Sequence, residues 1–113
     1  MLKILHNPRC RKSRETLSLI QGKGIEVEIV EYLKEAPSAD ELRSILEMLQ
    51  LSPEQLLRKG EAVFKENFKG KDLTNEEWIE AMVTNPVLIE RPIVIKGDQA
   101  VIGRPPENVN AFL

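Results

Sequence analysis

Cysteine is almost missing from this chain: Cys10 is the only thiol in 113 residues, and His6 is the only histidine. One thiol excludes an internal disulfide framework, and a lone cysteine suits a reducing compartment. One His with one Cys offers no plausible zinc site, so no bound metal or cofactor is expected. Long apolar runs are lacking as well, and nothing approaches the length of a membrane span. The opening MLKILHNPRC has neither the apolar length nor the small-residue cleavage site of a secretory signal. The chain therefore reads as cytoplasmic and free of membrane association. Neither sign of charge is in excess: 16 Lys and Arg face 18 Asp and Glu, for a net charge of -2. That balance argues against general affinity for nucleic acid. Internal repeats and low-complexity tracts are absent. A hydrophobic content of 42% over residues 1–113 is that of a single folded domain with an ordinary core.

The apolar residues fall into recognisable periods. LKIL is a short buried-strand candidate that meets the turn signal Asn7-Pro8. From Arg11 to about Lys23 the spacing predicts a helix, with Leu17 and Ile20 on one face and Gly22 and Gly24 at its end. Ile25, Val27 and Ile29 alternate with Glu26 and Glu28, the period of a strand. A strand, helix and strand within about 30 residues predict two parallel strands joined by a right-handed crossover. The middle reads as helical. Ser38 with Glu41 and Thr74 with Glu77 form capping boxes, Ser52-Pro53 with Gln55 starts a short helix, and EAVFKENF supplies another piece. PIVI and AVIG, joined through Gly97-Asp98, predict an antiparallel hairpin, and PPENVNAFL a closing helix. The fold class is thus α/β: a thioredoxin-like mixed sheet with a helical insertion at about 38–86, a ferredoxin-like arrangement being the competitor.

Residues 6–14 read HNPRCRKSR and contain no acid. A mildly acidic chain has gathered positive charge around its one thiol. Cys10 follows a predicted strand and turn, where a helix begins. The first amides of that helix and its dipole favour an anion at the sulfur. Arg9, Arg11, Lys12 and Arg14 act in the same direction, which favours an exposed, reactive thiolate. The same amides and cations form an oxyanion pocket. A nucleophilic thiolate beside such a pocket points to attack on an oxyanion, and both phosphate and oxidised-sulfur chemistry also fit. At least Arg11 or Lys12 is expected to belong to a solvated helix face. His6 fits equally a partly buried, hydrogen-bonded histidine and a protonated or hydrogen-bonding support for the thiolate. Ser13 occupies the place of the second cysteine in a dithiol oxidoreductase, so any disulfide at Cys10 must involve an outside thiol.

HNPRCRKSRETL, LLRKGEAVFKE, ERPIVI and GRPPE, in this order over essentially the whole chain, resemble the ArsC-type arsenate reductases. The resemblance implies a glutaredoxin-like fold and reduction of arsenate to arsenite, with glutathione as reducing cosubstrate and glutaredoxin as partner. It implies that Cys10 is the nucleophile and that His6 favours its thiolate. Arg58, Arg91 and Arg104 would hold the oxyanion, and Ser13 and Arg14 would contribute from the Cys loop and helix start. Pro92 would be the cis-proline facing that loop. Taken singly, Arg58 better fits a cation complementing a helix end, while Arg91 also fits a surface charge and Arg104 a loop residue. A monomer is expected. Two other classes share the fold: a thioredoxin-like regulator of the Spx type that binds RNA polymerase, and a general monothiol oxidoreductase acting on glutathione mixed disulfides.

Overall fold

The computed structural model describes residues 2–113, which form two compact units, one of residues 2–35 with Arg91–Leu113 and one of Ala36–Glu90. In the first unit β1 (Leu2–Leu5), α1 (Arg11–Gly22) and β2 (Val27–Val30) make the parallel unit that the periodicity predicts. β3 (Ile93–Lys96) runs antiparallel to β1, and β4 (Gln99–Ile102) antiparallel to β3, giving the order β2-β1-β3-β4. This is the mixed sheet of a thioredoxin-like fold. The β3–β4 turn places Gly97 at φ +60, a conformation that costs a residue without Cβ least.

Register decides which side chains share a face. Ile4 lies opposite Ile29 on one side and Val94 on the other, and Leu2 opposite Val27. Leu2, Ile4 and Val94 pack with Ile20 of α1 and Val109 of the C-terminal segment into one core, with Leu17, Val101 and Phe112 around it. Burying each such aliphatic side chain contributes roughly 1.5–3 kcal/mol. Ile29 is 45% exposed. It sits on edge strand β2, where cover runs out. The closing segment Pro106–Phe112 is a 3-10 helix, begun by a proline that supplies no amide.

The second unit holds α2 (Ala39–Leu49), α3 (Pro53–Leu56), α4 (Ala62–Asn67), α5 (Asn75–Thr84) and a 3-10 turn at Pro86–Leu88. Both capping boxes form. The Ser38 hydroxyl accepts from the Glu41 amide at 3.1 Å, and the Thr74 hydroxyl from the Glu77 amide at 3.2 Å. Leu42, Ile45 and Leu46 of α2 are buried, as are Trp78, Ala81 and Met82 of α5. Phe64, Phe68 and Trp78 meet with ring centroids 6.0–6.3 Å apart. An antiparallel bridge pairs Leu57 with Ile89, flanked by Arg58 N–H donating to Leu88 O at 2.8 Å and Glu90 N–H to Leu56 O at 2.9 Å. No helix among the described residues is long and apolar enough to cross a membrane.

Candidate active site around Cys10

β1 ends at Leu5, and the loop from His6 to Arg9 turns the chain into α1. His6 N–H donates to Val30 O at 2.8 Å, which fastens the loop's start to β2. Asn7 shapes the turn itself: its Oδ1 accepts the Arg9 amide and its carbonyl the Cys10 amide, both at 3.0 Å. Cys10 is the N-cap of α1, in extended conformation, with Arg14 N–H donating to its carbonyl at 3.0 Å as the first helical bond. No side chain caps this helix start, and no acid stands in its first turn. The positive end of the helix is thereby left for an anion beside the sulfur. The thiol differs from expectation in one respect: Cys10 is buried, 8% exposed, because loop and helix fold around it.

Arg104 is the residue that the tertiary structure brings in. Its Nη1 lies 3.9 Å from Cys10 Sγ across a sequence separation of 94. Three features hold the segment carrying it. Gly103 N–H donates to Pro92 O at 2.9 Å, Thr16 Oγ1 donates to Lys12 O at 2.8 Å and approaches Gly103 O at 3.3 Å, and Asn108 Nδ2 donates to Arg104 O at 3.2 Å. Gly103 passes so close to α1 that a Cβ there would lie 2.5 Å from Thr16 Oγ1 and 2.9 Å from Pro92 Cγ. The Arg91–Pro92 peptide is cis, and so is Arg104–Pro105.

The cations of the Cys segment divide. Arg11 is exposed and donates from Nε to Glu15 at 2.8 Å, which makes it part of the solvated face. Arg14 donates from Nη1 to Pro8 O at 3.0 Å and so braces the loop. Arg9 and Lys12 are exposed. Ser13 turns inward. Its side chain is fully buried, and its Oγ accepts from Asn7 N–H at 3.0 Å and meets His6 Nδ1 at 2.6 Å. His6 is buried as well, and burial holds its pKa below the ordinary 6.5, with Glu31 pulling upward and Arg14 downward.

Arg91 is partly buried, with its Nε and Nη1 atoms inside, next to Pro92 at the start of β3. Arg58 stands in the second unit just past α3. Its Nη1 lies 2.7 Å from Glu61 Oε1 and its Nε 3.6 Å from Glu90 Oε1, the residue before Arg91 in the chain. Asn7, Thr16 and Gly103 escaped the sequence reasoning. The only trace of them was the turn signal Asn7-Pro8 and the glycine that opens GRPP.

Comparison with known proteins identifies the family. The ArsC family matches residues 5–112. The uncharacterized protein YfgD of Escherichia coli (strain K12) is 49% identical over 110 residues, 96% of this chain and 92% of that protein. An arsenate reductase of Haemophilus influenzae (strain ATCC 51907 / DSM 11121 / KW20 / Rd) is 46% identical over 112 residues, 97% of both chains. The structure of an arsenate reductase from Vibrio cholerae superposes with a TM-score of 0.94 at 41% identity, covering 99% of this chain and 97% of that one. A match over nearly all of the chain makes this protein a member of the ArsC family, with its thioredoxin-like fold.

Proposed function

We propose that this protein is an arsenate reductase that works through Cys10 with glutathione and glutaredoxin. The observation that carries the reading is the Arg104 guanidinium 3.9 Å from Cys10 Sγ, at an uncapped helix N-terminus. A sulfur nucleophile, a fork of N–H donors and free first-turn amides together suit a tetrahedral oxyanion. Relatives named as arsenate reductases at 41–46% identity support arsenate as that oxyanion.

In the proposed reaction the Cys10 thiolate attacks arsenic, a sulfur–arsenic bond forms, and one arsenate oxygen leaves as water after taking up protons. Arg104 and the α1 amides offset the charge, with Arg91 as a further oxyanion ligand and Arg14 bracing the loop. His6 and Ser13 shape the loop around the sulfur. The wall facing it is assigned to Pro92. A glutathione thiolate then attacks the Cys10 sulfur. The pair of the sulfur–arsenic bond goes to arsenic, reducing As(V) to As(III), while a Cys10–glutathione disulfide forms. A glutaredoxin thiolate takes the glutathionyl group and restores the Cys10 thiolate. Two electrons thus come from two outside thiols, as a chain with one cysteine requires.

The test is arsenite release by the purified protein, with and without glutathione and glutaredoxin, for wild type and Cys10→Ser. Release should need both thiols and vanish in Cys10→Ser, because a serine hydroxyl is hardly ionised at neutral pH. No arsenite above the thiol-only background in wild type would defeat the assignment. Turnover of a glutathionylated substrate, or co-purification with RNA polymerase, would then point to the general monothiol or the regulator.

A further inference from the structure

Ser13 is fully buried, and its hydroxyl has two described partners, Asn7 N–H at 3.0 Å and His6 Nδ1 at 2.6 Å. The bond from Asn7 has a fixed direction, since an amide only donates, so one lone pair of Oγ is taken. The hydroxyl proton then needs an acceptor. A buried donor left without one costs about 1–3 kcal/mol. His6 Nδ1 is an acceptor only when it carries no proton, which in a neutral imidazole puts the ring proton on Nε2. Were Nδ1 protonated, in the other tautomer or in the imidazolium, Oγ would accept twice and its own proton would lose its acceptor. Burial of the ring adds to the cost of the charged form. Arg14 opposes the charge too, and Glu31 favours it.

We propose that Ser13 is a positioning residue, whose hydroxyl holds His6 as the neutral imidazole protonated on Nε2 and ties the Cys10 loop to the first turn of α1. The loop is then closed from two sides. Its start is held by the Asn7 amide on Ser13 Oγ, and its end by the Cys10 amide on Asn7 O. His6 therefore serves the thiol by shaping the loop, not as a nearby cation. A serine at this position also means that the place of a second cysteine is filled by a group with a different duty. The structural part of the inference stands independently of the substrate. Its consequence for turnover rests on the reductase reading.

His6 is the only imidazole in the chain, so its nitrogens give a single set of NMR signals. In wild type at neutral pH, nitrogen-15 shifts and long-range couplings should show a protonated Nε2 and an unprotonated Nδ1. This measurement needs no variant and no arsenate. In Ser13→Ala the tautomers should mix, and the titration midpoint should rise toward that of an ordinary histidine. Ser13→Cys, whose S–H is a weak donor, should fall between. Reductase activity should fall at least tenfold in Ser13→Ala, with its acid limb displaced in the same direction as the His6 midpoint. An Nδ1-protonated or cationic His6 in wild type overturns the proposal, as does a Ser13→Ala protein with unchanged His6 signals. If the NMR result holds and wild type makes no arsenite, the reductase reading fails and the inference about Ser13 stands.

Discussion

A β-carbon at position 103 would stand 2.5 Å from Thr16 Oγ1 and 2.9 Å from Pro92 Cγ, well inside the distance at which atoms pack. Thr16 has little room to yield, because it is fully buried and its hydroxyl bonds Lys12 O. The backbone at Gly103 is tied in turn to Pro92 O. Gly103→Ala must therefore push the segment that carries Arg104 away from α1. Overpacking of this kind costs about 1–3 kcal/mol, which a urea unfolding curve will show as a lower midpoint. Arsenite release should fall further than stability alone explains, since the Arg104–Cys10 approach of 3.9 Å is widened. Full stability and full release in Gly103→Ala would mean that the close approach does not position Arg104. Arg104→Lys separates charge from geometry at the same place. It keeps one positive charge and loses the planar fork, so arsenate turnover should drop about tenfold or more. The rate of Cys10 alkylation by iodoacetamide should change much less.

Elements were legible where local chemistry decides them. The reciprocal bonds at Ser38 with Glu41 and Thr74 with Glu77 need only a spacing of three, and both helices begin where the sequence places them. The turn at Gly97-Asp98 is likewise a local choice. The exposure of Ile29 depends on β2 lying at the sheet edge, which is a property of strand order rather than of period. The closing segment has too few residues for a hydrophobic period to tell an α-helix from the 3-10 helix it forms. At the site, the cysteine and its helix start could be read from one short segment. The Gly103–Thr16 contact could not, since it joins residues far apart in sequence through the tertiary fold. This division has a testable side. Removing the α2 cap with Ser38→Ala should cost about 1 kcal/mol, read as a lower thermal midpoint. Cys10 alkylation and arsenite release at a temperature well below unfolding should be unchanged. A loss of activity there would show that the cap does more than start a helix.

At the scale of the whole molecule, His6 is a group whose charge near neutrality differs between the folded and unfolded chain. His6 titrates below 6.5 when folded, chiefly because it is buried, with Glu31 favouring the proton and Arg14 opposing it. The unfolded chain exposes it and lets it titrate at its ordinary value. Between those two positions the unfolded state binds more protons, so unfolding free energy falls as the pH is lowered through 6.5. The slope from one such group reaches at most about 1.4 kcal/mol per pH unit. Carboxylates act in a separate, more acidic window. Glu77 is held below 4.5 by the backbone amide and then the hydroxyl of Thr74, and Glu76 by its hydrogen bonds to Arg43. Their stabilisation is present above 4.5 and is lost as the pH falls through their lowered values. Urea unfolding of wild type at about pH 7.5 and about pH 5.5 therefore isolates the imidazole. His6→Gln loses the titration and keeps a hydrogen-bonding side chain. It will shift the absolute stability by an amount that the pH comparison cancels. Wild type should lose more stability than His6→Gln on going to the lower pH, because only wild type must exclude a proton from a buried ring. Equal losses in the two proteins would mean that folding does not hold His6 neutral, and the closed loop around Cys10 would need another explanation.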